Sequence, residues 1–96
     1  MIEVFRFHLK ADRALDEFLA ANERYQHDFA HQQKGLLRRT LARGADGAWL
    51  SLTLWRSMHH AEGARLAAEV SPVAIEFRGY LDESASTTEY FDELPG

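Results

Sequence analysis

The opening segment Ile2-Glu3-Val4-Phe5-Arg6-Phe7-His8-Leu9 carries the first two side chains suited to chemistry. A neutral imidazole titrates near working pH, which makes His8 the best general base in the chain. Arg6 stands two residues earlier, on the same side of a strand, where its guanidinium could hold an oxygen that gains negative charge. Ser51, Thr53 and Trp55 alternate along a later apolar segment and share one side of it, the same side as Arg6 and His8 if the two strands are neighbours. Trp55 adds a flat surface for an aromatic ligand. Asn22, Tyr25 and Phe29 recur at three- and four-residue steps, so one helix face would close a cavity over those strands. Each of these residues also has a plainer use. His8 can be a half-exposed, hydrogen-bonded strand end, and Arg6 the ion-pair partner of an acid near the C-terminus such as Glu89. Trp55 can be core, and Asn22 can satisfy a backbone group.

The other histidines carry weaker signals. His27 and His31 stand four apart on one helix face, a spacing that can chelate a metal. Only Asp28 adjoins them and no third ligand is evident, so a solvated helix end is the expectation and no metal site is predicted. His59 and His60 open a helix, where a cation meets the positive end of the dipole and gains nothing. His59 is therefore read as a residue at the cavity mouth. There is no glycine-rich phosphate loop, no Ser/His/Asp order that fits a nucleophile elbow and no paired-carboxylate signature.

The elements that must position these residues follow from periodicity. Residues 2–9 alternate and read as a strand. Asp12 is placed as the N-cap of a long helix reaching about His31, and Gly35 closes that region. Residues 36–43 and 48–56 form the clearest pair, joined by Gly44-Ala45-Asp46-Gly47, a hairpin signal. Ser57 caps a helix over about 58–69, whose Ala61, Ala64 and Ala68 permit close packing. Ser71-Pro72 places a cap before a proline at the first helical position, so a short helix runs to about Tyr80. Thr87 to Leu94 reads as a last strand. The order βα-ββ-αα-β predicts an α+β fold, ferredoxin-like, with a split βαβ arrangement and an antiparallel four-stranded sheet covered by helices on one face. The other face, taken as Leu50, Leu52 and Leu54 with Phe5, Phe7 and Leu9 or else the opposite side, would meet water. Packing two such sheets face to face covers it, so a homodimer through the sheet faces is expected.

Ninety-six residues leave room for one domain, residues 1–96. The chain is 46% apolar and 27% charged, a globular composition, and no apolar run approaches the ~20 residues of a membrane span. With no cysteine there are no disulfides, no thiolate nucleophile and no cysteine-ligated metal; a cytoplasmic location is the default. The net charge of −4 is uneven. Asp82, Glu83, Glu89, Asp92 and Glu93 close the chain without a single base, while the preceding residues are close to neutral. That balance argues against nucleic-acid binding, which needs a basic face. Arg38, Arg39 and Arg43 do cluster, and cross-strand pairing with the acidic end is the expected use.

The string GLLRRTLARGADGAWLSLTLWRSMHHAEGA resembles the middle of the antibiotic biosynthesis monooxygenase family: a Gly-led strand at Gly35, a turn, a strand ending in Trp55, then Ser57-Met58 and an Ala-rich helix. The resemblance covers about 30 residues by wording and the whole chain by element order. It implies a dimeric α+β barrel and, from one branch, cofactor-independent oxygenation of a small electron-rich aromatic such as a hydroquinone or anthrone. Such an enzyme needs no cofactor, because the deprotonated substrate itself gives electrons to dioxygen. The protein then supplies a base, a donor for the developing anion and a dry cavity. Trp55 matches the family's strand-end Trp, while Asn22 and Arg6 match the anthrone branch by residue type. Ile75-Glu76-Phe77-Arg78-Gly79-Tyr80 lacks the histidine of the haem-degrading branch, which disfavours haem. The rival reading is a non-catalytic ligand-binding or interaction protein of the same fold.

Overall fold

A computed structural model describes residues 1–96. Strand β1 spans Ile2–His8, helix α1 Leu15–Asp28, strands β2 and β3 Leu36–Arg43 and Ala48–Trp55, helices α2 and α3 Met58–Ala68 and Pro72–Arg78, and strand β4 Thr87–Phe91. The four strands form one antiparallel sheet in the order β2-β3-β1-β4. All three helices lie on one side of it, which gives the ferredoxin-like α+β architecture. The N- and C-terminal strands pair because two helical connections return the chain to the far edge, as the split βαβ order requires.

Local sequence explains most element boundaries. Ser57 accepts from the His60 backbone N–H and Ser71 from that of Ala74, so both predicted caps hold α2 and α3. Pro72 fills a first-turn position where no N–H is needed. Helix α1 differs from expectation. It starts at Leu15 with no side-chain cap, helped by Asp16 and Glu17 in its first turn, while Asp12 lies too far upstream to reach its free N–H groups. It also ends at Asp28, and Ala30–Gln32 continue as a single 3-10 turn. Strand β4 stops at Phe91 rather than Leu94 because Phe91 pairs with Ile2, at the very start of β1, and beyond it no partner backbone remains.

Register decides which side chains share a face. Phe5 pairs with Ser51, Phe7 with Trp49 and Glu3 with Thr53, so these six point toward the helices. Val4 pairs with Leu52 and Arg6 with Leu50, so the leucines share the open face with Val4, Arg6 and His8, not with the phenylalanines. The grouping of Leu50, Leu52 and Leu54 with Phe5 and Phe7 is thereby corrected. On the helical side Phe7, Phe18, Trp49, Phe77 and Leu81 build the main core. Two smaller clusters, Phe29-Ala30-Ala74 and Trp55-Ala61-Ala64, sit toward the other end of the sheet. The alanines let α2 and α3 approach closely, and the space left between the clusters is a cavity.

Candidate active site

The cavity has a volume of about 210 Å³ and lies between the sheet and the three helices. Its floor is a row across all four strands. Arg39 of β2 pairs with Thr53 of β3, Thr53 with Glu3 of β1, and Glu3 with Tyr90 of β4. One register step along lie Ser51, Phe5 and Thr88. Tyr25 and Phe29 form the wall from α1 and its end, Phe77 and Ala74 close it from α3, and Ala64 and Ala68 from α2. Trp55 completes the strand end. The walls are thus aromatic, with a polar strip on the floor.

The two charged groups of that strip are held by neutral partners. Trp55 Nε1 donates to Glu3 Oε1 at 2.9 Å. Arg39 Nη1 donates to Asn22 Oδ1 and to Gln26 Oε1, both at 2.9 Å. The Arg39 guanidinium also lies over the Tyr25 ring at 4.9 Å and the Phe77 ring at 5.5 Å. No carboxylate comes within ion-pair distance of Arg39, although five ion pairs form elsewhere in the chain. Burial raises the Glu3 carboxyl above its ordinary range, against the lowering effects of the Trp55 hydrogen bond and the Arg39 charge. Burial likewise pulls Arg39 below its usual value and pushes the Tyr25 phenol up, with Arg39 opposing the latter. The strip therefore offers a carboxylate that binds a proton readily, a cation without a counter-ion, and the hydroxyls of Ser51 and Thr53.

Of the sequence-predicted residues, Tyr25, Phe29, Ser51, Thr53 and Trp55 come together on this cavity. Asn22 is buried beside it and acts through Arg39, which it holds from behind. Arg6, His8 and His59 are not brought to it. Arg6 and His8 point from the opposite sheet face because β1 alternates and the odd residues face the helices. Arg6 makes instead an exposed ion pair with Glu89 at 3.4 Å, the plainer alternative for it. His59 is exposed on the first turn of α2, whereas its neighbour His60 bonds Ser57 Oγ at 2.8 Å and packs against Gly35. His27 bonds Asp28 at 2.8 Å on the helix surface. Sequence reasoning missed Glu3 and Arg39. The usable signal was a lone carboxylate in phase with Phe5 and Phe7, on the face that periodicity had already marked as apolar.

No protein-family model matches the sequence, and no curated protein sequence matches it. Solved structures do. The cofactor-independent oxygenase SnoaB from Streptomyces nogalater superposes with a TM-score of 0.77 at 24% identity, over 99% of this chain and 93% of that one. A protein described as an antibiotic biosynthesis monooxygenase gives 0.75 at 14% identity over 99% of this chain and 100% of its own. Rv0793 from Mycobacterium tuberculosis gives 0.67 at 21% over 98% and 97%. The chain has the dimeric α+β barrel fold of the antibiotic biosynthesis monooxygenases. No helix is long and apolar enough to cross a membrane.

Proposed function

We propose that this protein is a cofactor-independent monooxygenase whose cavity takes a small electron-rich aromatic of the hydroquinone or anthrone type. The observation that carries the reading is the cavity itself, with stacked aromatic walls and a polar strip on its floor, in the fold that SnoaB shares. Tyr25, Phe29 and Trp55 would sandwich a planar ligand, and Ser51 and Thr53 would orient its oxygens. An anthrone methylene plus dioxygen gives a carbonyl and one water, so the substrate is its own reductant. The protein's share is to deprotonate, hold the anion and exclude bulk water. The same reading has two copies of the chain meeting through their open sheet faces and working in the cytoplasm.

The test is dioxygen uptake with a panel of hydroquinones and anthrones against a protein-free autoxidation control. Ala68→Phe, which fills the cavity without touching its polar strip, is expected to remove uptake. His8→Ala, on the far face of the sheet, is expected to leave it intact. Panel members that bind without any uptake would favour the ligand-binding protein instead, and uptake indifferent to Ala68→Phe would move the chemistry out of this cavity.

A further inference from the structure

Glu3 and Arg39 stand in one cross-strand row with Thr53 between them, two strand spacings or about 10 Å apart at the backbone. Both side chains line the same cavity. Each group spends only part of its bonding capacity on the protein. Glu3 Oε1 is taken by the Trp55 indole, while Oε2 has no protein partner. Arg39 spends Nη1 on two amide oxygens, which leaves Nε and Nη2 free. None of these free atoms is sealed in the interior, since no buried side-chain nitrogen or oxygen lacks a partner. An open acceptor and an open cation therefore line one cavity about 210 Å³ in volume. The complement is a molecule with an acidic hydrogen that becomes an oxyanion once that hydrogen is lost.

We propose that Glu3 is the general base of this site and that Arg39 receives the oxyanion it creates. The inference rests on the oxygenase reading for its last step only. The hydroxyl proton of a phenol, or the methylene proton of an anthrone, passes to Glu3 Oε2. The electron pair stays on the substrate oxygen, directly or through the enolate, and the free Arg39 N–H groups donate to it. Nothing is oxidised in this transfer; dioxygen takes electrons from the anion afterwards. Trp55 is a positioning residue as well as a wall, because its indole fixes which Glu3 oxygen points inward. Asn22 and Gln26 do the same for Arg39. The other ionisable groups on the cavity are Tyr25 from α1, Arg65 from α2, Arg78 from α3 and Tyr90 from β4. Burial raises both phenols, so neither competes with Glu3 as a base near neutrality.

The probe is para-nitrophenol, whose absorbance reports its own ionisation without any oxygen chemistry. Bound to the wild-type protein, it is expected to ionise about 1–3 pH units below the free compound. Arg39→Met, checked for folding by circular dichroism, should abolish that displacement. Below the pH at which free para-nitrophenol ionises, wild-type binding should release no net proton, since Glu3 keeps it. Glu3→Gln preserves the acceptor for Trp55, so it should still bind nitrophenolate but release one proton per ligand. With a panel substrate that the wild type turns over, Glu3→Gln should lower dioxygen uptake about 100-fold or more, and added formate should partly restore Glu3→Ala. No binding of the probe, unshifted ionisation, or equal proton release by wild type and Glu3→Gln would overturn the proposal. Absence of uptake by the wild type would instead remove the oxygenase reading and leave the spectroscopic result to decide these two roles.

Discussion

Glu3 sits among Phe5, Trp55, Tyr25 and Tyr90, and burial there disfavours its charge. Its carboxyl is raised by burial above the ordinary 4.5. The folded state therefore binds the proton more tightly than the unfolded chain. The contribution of this site to stability is present at low pH and is lost as pH rises from the ordinary carboxylate range through the raised value. Gln has the same shape, keeps an oxygen for the Trp55 indole and carries no charge. Glu3→Gln is thus expected to gain stability on the wild type as pH rises from about 4 to neutrality. Urea midpoints measured across that range would show it, and parallel curves for the two proteins would sink the idea. A variant more stable yet less active is also what a charged group kept for chemistry predicts.

At the scale of elements, the junction between the 3-10 turn and β2 leaves no room for a side chain at Gly35. Gly35 has φ of +81°, and a Cβ there would run into the His60 imidazole. Its carbonyl also accepts from the Arg56 N–H at 2.8 Å, so the backbone cannot swing away without losing a bond that ties the start of β2 to the end of β3. Gly35→Ala should cost about 1–2 kcal/mol for the left-handed backbone and about 1–3 kcal/mol more for the overlap. In a His60→Gly background, which also removes the His60 Cβ that the new methyl would meet at 2.6 Å, only the first part should remain. Denaturant curves of the four proteins separate the two, and equal costs in both backgrounds would show that the overlap is absorbed elsewhere. Elements of this kind were legible in the sequence: the alternation of residues 2–9, the Gly44–Gly47 turn, and the serine caps at Ser57 and Ser71. The site was only half legible. Alternation says that Arg6 and His8 share a side and that Ser51, Thr53 and Trp55 share a side. Whether those two sides coincide depends on register, and a slip of one residue inverts the answer. Register is set by long-range pairing of β1 with β3, which no local pattern encodes. Hence His8 falls outside the cavity and Glu3, in phase with Phe5, falls inside.

For the whole molecule, the face that Arg6 and His8 share is the one that needs covering. Ile2, Val4, Leu50, Leu52, Leu54 and Phe91 lie together on it, with Phe91 48% exposed and no helix above. Four strands spaced about 4.8 Å apart, each about seven residues long, give this face roughly 450 Å² in plane, with Arg6, Arg38 and Glu89 bordering the apolar residues. An apolar centre rimmed by polar and charged residues is the form of an interaction surface. A two-fold pairing brings the same residues together from both copies, so one substitution acts twice. Leu52 lies at the centre of the patch, between Val4 and Thr40 in the ladder. Leu52→Glu buries two carboxylates without partners, and the dimer dissociation constant is expected to rise at least about 100-fold. Sedimentation equilibrium at micromolar concentration reads this directly. A wild type that sediments as a monomer, or a variant that stays dimeric, would dismiss the sheet-face dimer. Because the cavity opens on the other side of the sheet, the monomeric variant should still bind para-nitrophenol. Loss of binding together with the dimer would mean that the second subunit orders the sheet on which Glu3 and Arg39 are set.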